Sequence, residues 1–242
     1  MEENLTVAEV VNGTITTLRQ NAQAVLIFVV IFASLGIALE LGLNQIGNGL
    51  LGQFEPEWLL SWLGVGAGLG GLLFLILAVI GEYLLWEAML KRHYQLEPGG
   101  RRILAFIGLQ IVTTIGISLG FVLFIIPGLI FTARWSMGPA FLIVERKGII
   151  ESIGDSWDEV SGRTTPIVLA FLIAVVLVAG INFALGASAA AGAANSLAPV
   201  SLITTVLSQL LAQLSTVLQI GLGVFLFGRL HGSSEVLSEV FA

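Results

Sequence analysis

Arg134 carries a full charge in the middle of a short apolar stretch, 129–144. A guanidinium in hydrocarbon costs roughly 2.5–3.5 kcal/mol on translocon scales and needs an acceptor. It reads either as a structural clamp, paired with a carboxylate or with carbonyls freed at a helix break, or as a site for an anion or a lipid headgroup. Its long stem also permits snorkelling to the membrane surface. Glu82 and Glu87, late in an earlier apolar stretch, are the carboxylates nearest in kind. Five residues apart, they point about 140° from each other round a helix, so they share no site. Glu82 is the better expected partner for Arg134. Tyr83 and Trp86 lie between the two acids and suit the headgroup level, where amphipathic rings collect. Trp86 and Trp157 are the expected interfacial anchors.

A second polar set lies near the C-terminus. Thr205, Gln209, Gln213, Thr216 and Gln219 advance by three or four residues, so they share one helix face. That face must turn toward other helices, as interhelical glue or as the lining of a cavity. The candidate intramembrane polar site is therefore Arg134, Glu82, Gln209 and Gln213.

Catalytic chemistry has little support. His93 and His231 stand alone at segment ends, and no HExxH pattern or carboxylate cluster completes a zinc ligand set. A GxSxG turn with a positioned base is absent as well. There is no cysteine, which excludes disulfides, thiolate metal sites and Cys nucleophiles. Gly64, Gly66, Gly68, Gly70 and Gly71 form no phosphate loop, having neither a preceding strand nor a lysine. Their small-xxx-small pairs, Gly64/Gly68 and Gly66/Gly70, instead suit close helix packing. The expectation is no enzyme, no cofactor and no metal.

The elements that position these residues follow from composition. Of 242 residues 56% are hydrophobic and only 11% charged, with mean hydropathy +0.98. A water-facing surface needs about twice that charge, so the solvent is lipid. Segments of about 20 apolar residues cross the hydrocarbon core, and they fall at 22–41, 59–90, 103–126, 129–144, 166–185 and 200–227. This predicts an all-α polytopic transmembrane bundle of about six spans. The fourth is short, and Pro127-Gly128 is expected to break the chain before it. A re-entrant or kinked hairpin is the alternative to a full crossing. Two amphipathic helices are expected to lie in the interface. The first has its stripe at Val7, Val11, Ile15 and Leu18, and the second at Ile149, Ile153, Trp157 and Val160.

Nine of the ten basic residues flank the spans on one side: Arg19, Lys91, Arg92, Arg101, Arg102, Arg146, Lys147, Arg163 and Arg229. Such a bias marks the cytoplasmic face and puts both termini inside, in the cytoplasmic (inner) membrane. The acidic, polar start does not resemble a cleavable signal. The organisation is then an interfacial helix in 1–21, a bundle over 22–230 that includes the interfacial helix 145–164, and a cytoplasmic tail, 231–242. With no basic run, nucleic acid is not a partner.

Four short stretches carry a family resemblance. They are Leu18-Arg19-Gln20-Asn21, Ile126-Pro127-Gly128, Ala133-Arg134-Trp135 followed by Pro139, and Ser156-Trp157 with Gly162-Arg163. Together they resemble the membrane domain attached to some bacterial glycerophosphodiester phosphodiesterases, which also occurs alone in six-span proteins. The resemblance implies a membrane domain without catalysis of its own, the chemistry belonging to a separate barrel. The chain departs from it in carrying Glu151, Asp155, Asp158 and Glu159 where that domain has a basic helix. The expected role is a non-enzymatic membrane protein that organises lipids or a partner protein, including a second copy of itself. The alternative is a transporter or channel for a small or lipid-like solute.

Overall fold

Runs of Leu, Ile, Val, Ala and Gly fold as helices because lipid offers the backbone no partner. The computed structural model describes residues 5–45, 57–96, 100–194 and 198–231. The helices are α1 (Val7–Gln20), α2 (Ala22–Gln45), α3 (Glu57–Leu90), α4 (Ile103–Leu123), α5 (Ile125–Arg134), α6 (Gly138–Val144), α7 (Ile149–Glu159), α8 (Thr164–Ala194) and α9 (Ala198–Leu226), and a π-turn (Phe227–His231) closes α9. Among the described residues there is no strand. Five helices, α2, α3, α4, α8 and α9, are long and apolar enough to cross a membrane. The all-α transmembrane bundle is what forms. The acidic tail from 232 and most of the first connection lie outside the described residues.

Basic side chains gather at one end of the bundle. The Arg92 guanidinium donates to the Gln20 carbonyl, and that of Arg102 donates to the Lys147 carbonyl at 2.7 Å. Lys91 and Arg101 both pair with Glu87. The fully buried large side chains belong to this basic end: Met89, Leu90, Phe106, Leu109, Met137, Phe141 and Phe227. Farther along, α3, α8 and α9 expose Leu69, Leu72, Val176, Phe183, Leu202 and Ile203, faces that only lipid can cover.

α1 buries a face other than the expected stripe. It runs antiparallel to the end of α9, with Glu9 paired to Arg229 at 2.9 Å. A Cβ on Gly13 would collide with Phe225, and one on Gly221 with Leu18. Its buried face is Val10, Thr14 and Thr17, whereas Val11 and Ile15 of the expected stripe are 37% and 40% exposed. The threonines can be buried because their hydroxyls donate to their own helix, to Val10 and Gly13 carbonyls at 2.8 and 2.9 Å. α7 packs on protein through its expected stripe. Ile149 packs on Gly108, and Val160 is fully buried.

The break expected at Pro127-Gly128 falls instead at Phe124, whose φ −162° and ψ 152° are extended. Pro127 sits in the first turn of α5, where a missing N–H costs little. Gly128 supplies room, not a bend: a Cβ on Gly120 would lie 2.9 Å from the Gly128 Cα. The fourth apolar segment is two helices, α5 and α6, separated by a turn at 135–137. Together they retrace α4. Gly116 meets Trp135, Gly138 lies by Leu109, and Arg102 reaches the Leu142 carbonyl at 3.4 Å.

This hairpin is shorter than its neighbours. A Cβ on Gly223 of α9 would strike both the Ser136 carbonyl and the Trp86 ring, so these three residues share one level. From there α9 continues for about 27 Å to Thr205, while the chain from Ser136 back to Ile125 covers at most about 16 Å. Its tip, residues 121–126, is wholly apolar and 42–81% exposed.

Close approach at the glycines of α3 is not seen where the structure describes it. Gly68 and Gly71 meet nothing within 4 Å, and Gly70 has only an ordinary 3.6 Å contact to Leu39; the surroundings of Gly64 and Gly66 lie outside the described residues. The tight glycine in α3 is Gly81, against Phe32. Between α7 and α8, Gly162 has φ +83° with open space around it. Gly162→Ala is expected to lower stability by about 1–2 kcal/mol through left-handed strain alone, read as detergent-solubilised unfolding; an unchanged protein would contradict that backbone conformation.

Candidate functional site

α3 and α4 meet at the basic end, and the contact fixes their register. The Tyr83 ring stands edge-on to Phe106 at 5.4 Å, and its hydroxyl accepts the Arg102 N–H at 3.2 Å. Glu82 then faces Gln110, whose Nε2 donates to the carboxylate at 2.7 Å. Beside this pair lies a cavity of about 230 Å³, lined also by Thr113, Thr114, Thr132, Ser136, Thr216 and Gln219. It has room for several waters or a small solute. The contact among Gly223, Trp86 and Ser136 borders it toward the basic end, backed by fully buried Met89 and Met137. Glu82 has no ion pair among the described residues.

The expected Arg134–Glu82 pair does not form. Trp135 lines the cavity, whereas Arg134 turns to α7 and lays its guanidinium 4.3 Å above the centroid of the Trp157 ring. Phe131, Trp135 and Trp157 form one cluster here, Phe131 stacking on Trp135 at 5.0 Å and tilting against Trp157 at 5.8 Å. Ser156 fastens α7 to this corner. Its hydroxyl donates to the Arg134 carbonyl at 2.6 Å and accepts the Met137 N–H at 3.2 Å. The Arg134 Nε is buried with no acceptor, and no ion pair reaches the guanidinium among the described residues.

The polar face of α9 divides between two places. Thr216 and Gln219 line the cavity. Gln209 and Thr205 instead donate to Glu40 of α2, at 3.1 and 3.0 Å. Gly36, one turn before Glu40, makes room for the Gln209 side chain. Gln213 is half-buried between the two clusters on α9 and does not line the cavity. Glu40 is the functional-site candidate that sequence reasoning missed. Its signal was available, since it is a lone acid within an apolar span.

One of the two expected tryptophan anchors requires correction. Trp86 is 4% exposed, packed on Gly223 in the core, so it cannot serve the lipid interface. Trp157 is half-buried and engaged with Arg134.

Outside the spanning segments, Lys147 lies 2.6 Å from Glu145 and 2.7 Å from Asp155. His231 is 2.9 Å from the same Glu145 and stacks on Phe227. Burial pulls the Lys147 pKa down, but hydrogen bonds to Asp155 and Glu145 and their charges push it up to about 12. A folded pKa above the ordinary 10.5 means that this contribution is complete below 10.5 and is lost as pH rises through about 12. The stability gap between wild type and Lys147→Met is therefore expected to stay constant from about pH 6 to 9 and to close only above the ordinary lysine range. A gap that closes between pH 6 and 9 would show that another group carries the effect.

Among the described residues no three His, Asp or Glu side chains converge as metal ligands. No protein-family model matches the chain, and no curated protein or solved structure is significantly similar to it. Function must be argued from two features: a cavity able to hydrogen-bond a polar guest, and a cation on an aromatic platform beside an apolar hairpin.

Proposed function

We propose that this chain is a non-enzymatic integral membrane protein that organises lipid, with the tip of the α4–α5 hairpin ending inside the hydrocarbon. The observation that carries the reading is the exposed apolar tip at 121–126, on a hairpin too short to match α9. Such a tip suits hydrocarbon, where it displaces acyl chains. The gathering of basic residues at the opposite end of the hairpin supports a cytoplasmic placement of that end in the inner membrane, with both termini inside. The short motifs that resemble the phosphodiesterase membrane domain are in keeping with a role without catalysis.

Having no cysteine, the chain accepts a single reporter. Phe124→Cys is expected to resist an impermeant maleimide from either face of sealed vesicles and to react once the protein is unfolded in denaturant, where the thiol can ionise. Labelling from the face opposite the basic end would falsify the buried-tip reading and make the hairpin a full crossing.

One observation favours transport as a second reading. Glu82, in no ion pair among the described residues, presents its carboxylate with Gln110 to a threonine-lined cavity, and buried charge beside broken helices is a feature of substrate paths. Proteoliposome flux of small cations and amines tests it. Glu82→Gln is expected to abolish such flux and Gln213→Leu to leave it intact; equal flux in both variants and wild type removes the reading.

A further inference from the structure

We infer that Arg134 and Trp157 form a binding site for a phosphate group, supplied by a phospholipid headgroup. The inference deepens the lipid reading above and rests on it. Arg134 is a permanent cation with no anion to balance it among the described residues, and its Nε is buried without an acceptor. A guanidinium with a buried donor unmet and no anion beside it is unfavourable in a membrane protein unless an anion arrives. The guanidinium is nevertheless held in place, its plane supported by Trp157 at 4.3 Å and its backbone carbonyl tied to Ser156. A fork fixed in this way suits a tetrahedral oxyanion, which takes two parallel N–H donors.

Position selects the source. Arg134 lies two residues from Ser136, the level at which Gly223 and Trp86 meet close to the basic end. From that level the exposed aliphatic face of α4 and the tip at 121–126 run deeper. A phosphate on Arg134 would therefore have its acyl chains along the hairpin, and the ring cluster of Phe131, Trp135 and Trp157 would meet the glycerol region, where aromatic rings favour the interface. The carboxylates of α7 do not occupy the guanidinium; among the described residues the ion pairs of that helix are Asp155 with Lys147 and Glu159 with His231.

The test uses the purified full chain in dodecyl maltoside and follows melting temperature with Trp emission. It is titrated with dioleoyl phosphatidylglycerol, with dioleoylglycerol (the same acyl chains without phosphate) and with inorganic phosphate. A ligand that binds only the folded state raises the melting temperature saturably. The expected result is such a rise with the phospholipid and none with dioleoylglycerol. Arg134→Gln should require about tenfold more phospholipid or worse, as befits a lost charge-assisted contact. Arg134→Lys should fall between, because an ammonium keeps the charge but neither stacks nor forks. A matching, Arg134-dependent rise with inorganic phosphate would keep the site and assign it to free phosphate. An equal response to dioleoylglycerol, or an unshifted midpoint in Arg134→Gln, overturns the proposal. If Arg134→Gln does not fold, the contrast between the two lipids in the wild type decides, together with Trp157→Leu, which removes the platform and keeps the cation. A tip that labels as buried in a protein blind to phosphate would discard this site alone and leave the hairpin reading standing.

Discussion

Phe227→Ala is expected to remove about 3–5 kcal/mol of unfolding free energy, the usual cost of deleting a buried phenyl ring. Phe227 is fully buried in the π-turn that ends α9. Its ring meets Tyr94 at 5.2 Å, Phe141 at 5.1 Å and His231 at 5.0 Å, so one side chain joins α9 to α6 and to the α3–α4 connection. These neighbours belong to different elements, and the cavity left behind cannot close without moving several of them. Phe183→Ala is the matched control. That ring is 80% exposed on α8, where lipid or detergent replaces it, and the expected change is within about 0.5 kcal/mol. Equilibrium unfolding in mixed micelles measures both. Equal losses for the two variants would mean that the stability of the bundle is not concentrated at its basic end.

Ser156→Ala should cost about 2–4 kcal/mol, a large effect for the loss of one oxygen. The hydroxyl is completely buried and holds two backbone groups, the Arg134 carbonyl and the Met137 N–H. Both belong to the turn between α5 and α6. Alanine leaves each without its partner, and an orphaned buried group costs about 1–3 kcal/mol. The loss has a local signature too, because Trp157 follows Ser156 and stacks on Arg134. Its emission should shift to the red in Ser156→Ala before global unfolding, whereas Ser161→Ala, at an exposed position, should leave it unchanged. A Ser156→Ala protein as stable as wild type would mean that the turn is held by other contacts.

Hydropathy located the helices well because it is a local average. α2 extends the expected span by four residues, α8 starts two residues early and ends nine late, α9 starts two early and ends one early at Leu226, and α3 starts at Glu57 rather than near 59. The errors occurred where a single residue was asked to decide a boundary. Pro127 was expected to break the chain, yet a proline in the first turn of a helix is tolerated, and the break fell at Phe124. The stripe chosen for α1 followed apolar side chains and passed over Thr14 and Thr17, which satisfy their own hydroxyls. The candidate site came apart for a related reason. Arg134 and Glu82 have opposite charges and comparable depth, but Trp135 lines the cavity while Arg134 faces α7. Likewise, helical spacing put Gln209 on a polar face but could not reveal that Glu40 awaited it.

The linear chain was enough to establish a lipid-solvated helical protein with its basic residues clustered by segment, since those properties depend on composition and short-range periodicity. The partners of each polar group had to come from the folded arrangement. They depend on which helices touch and in what register, and small contacts such as Gly36 under Gln209 or Gly223 against Trp86 set that register. The shallow reach of the hairpin is of the same kind: no property of 103–144 alone states how far α9 continues beyond it.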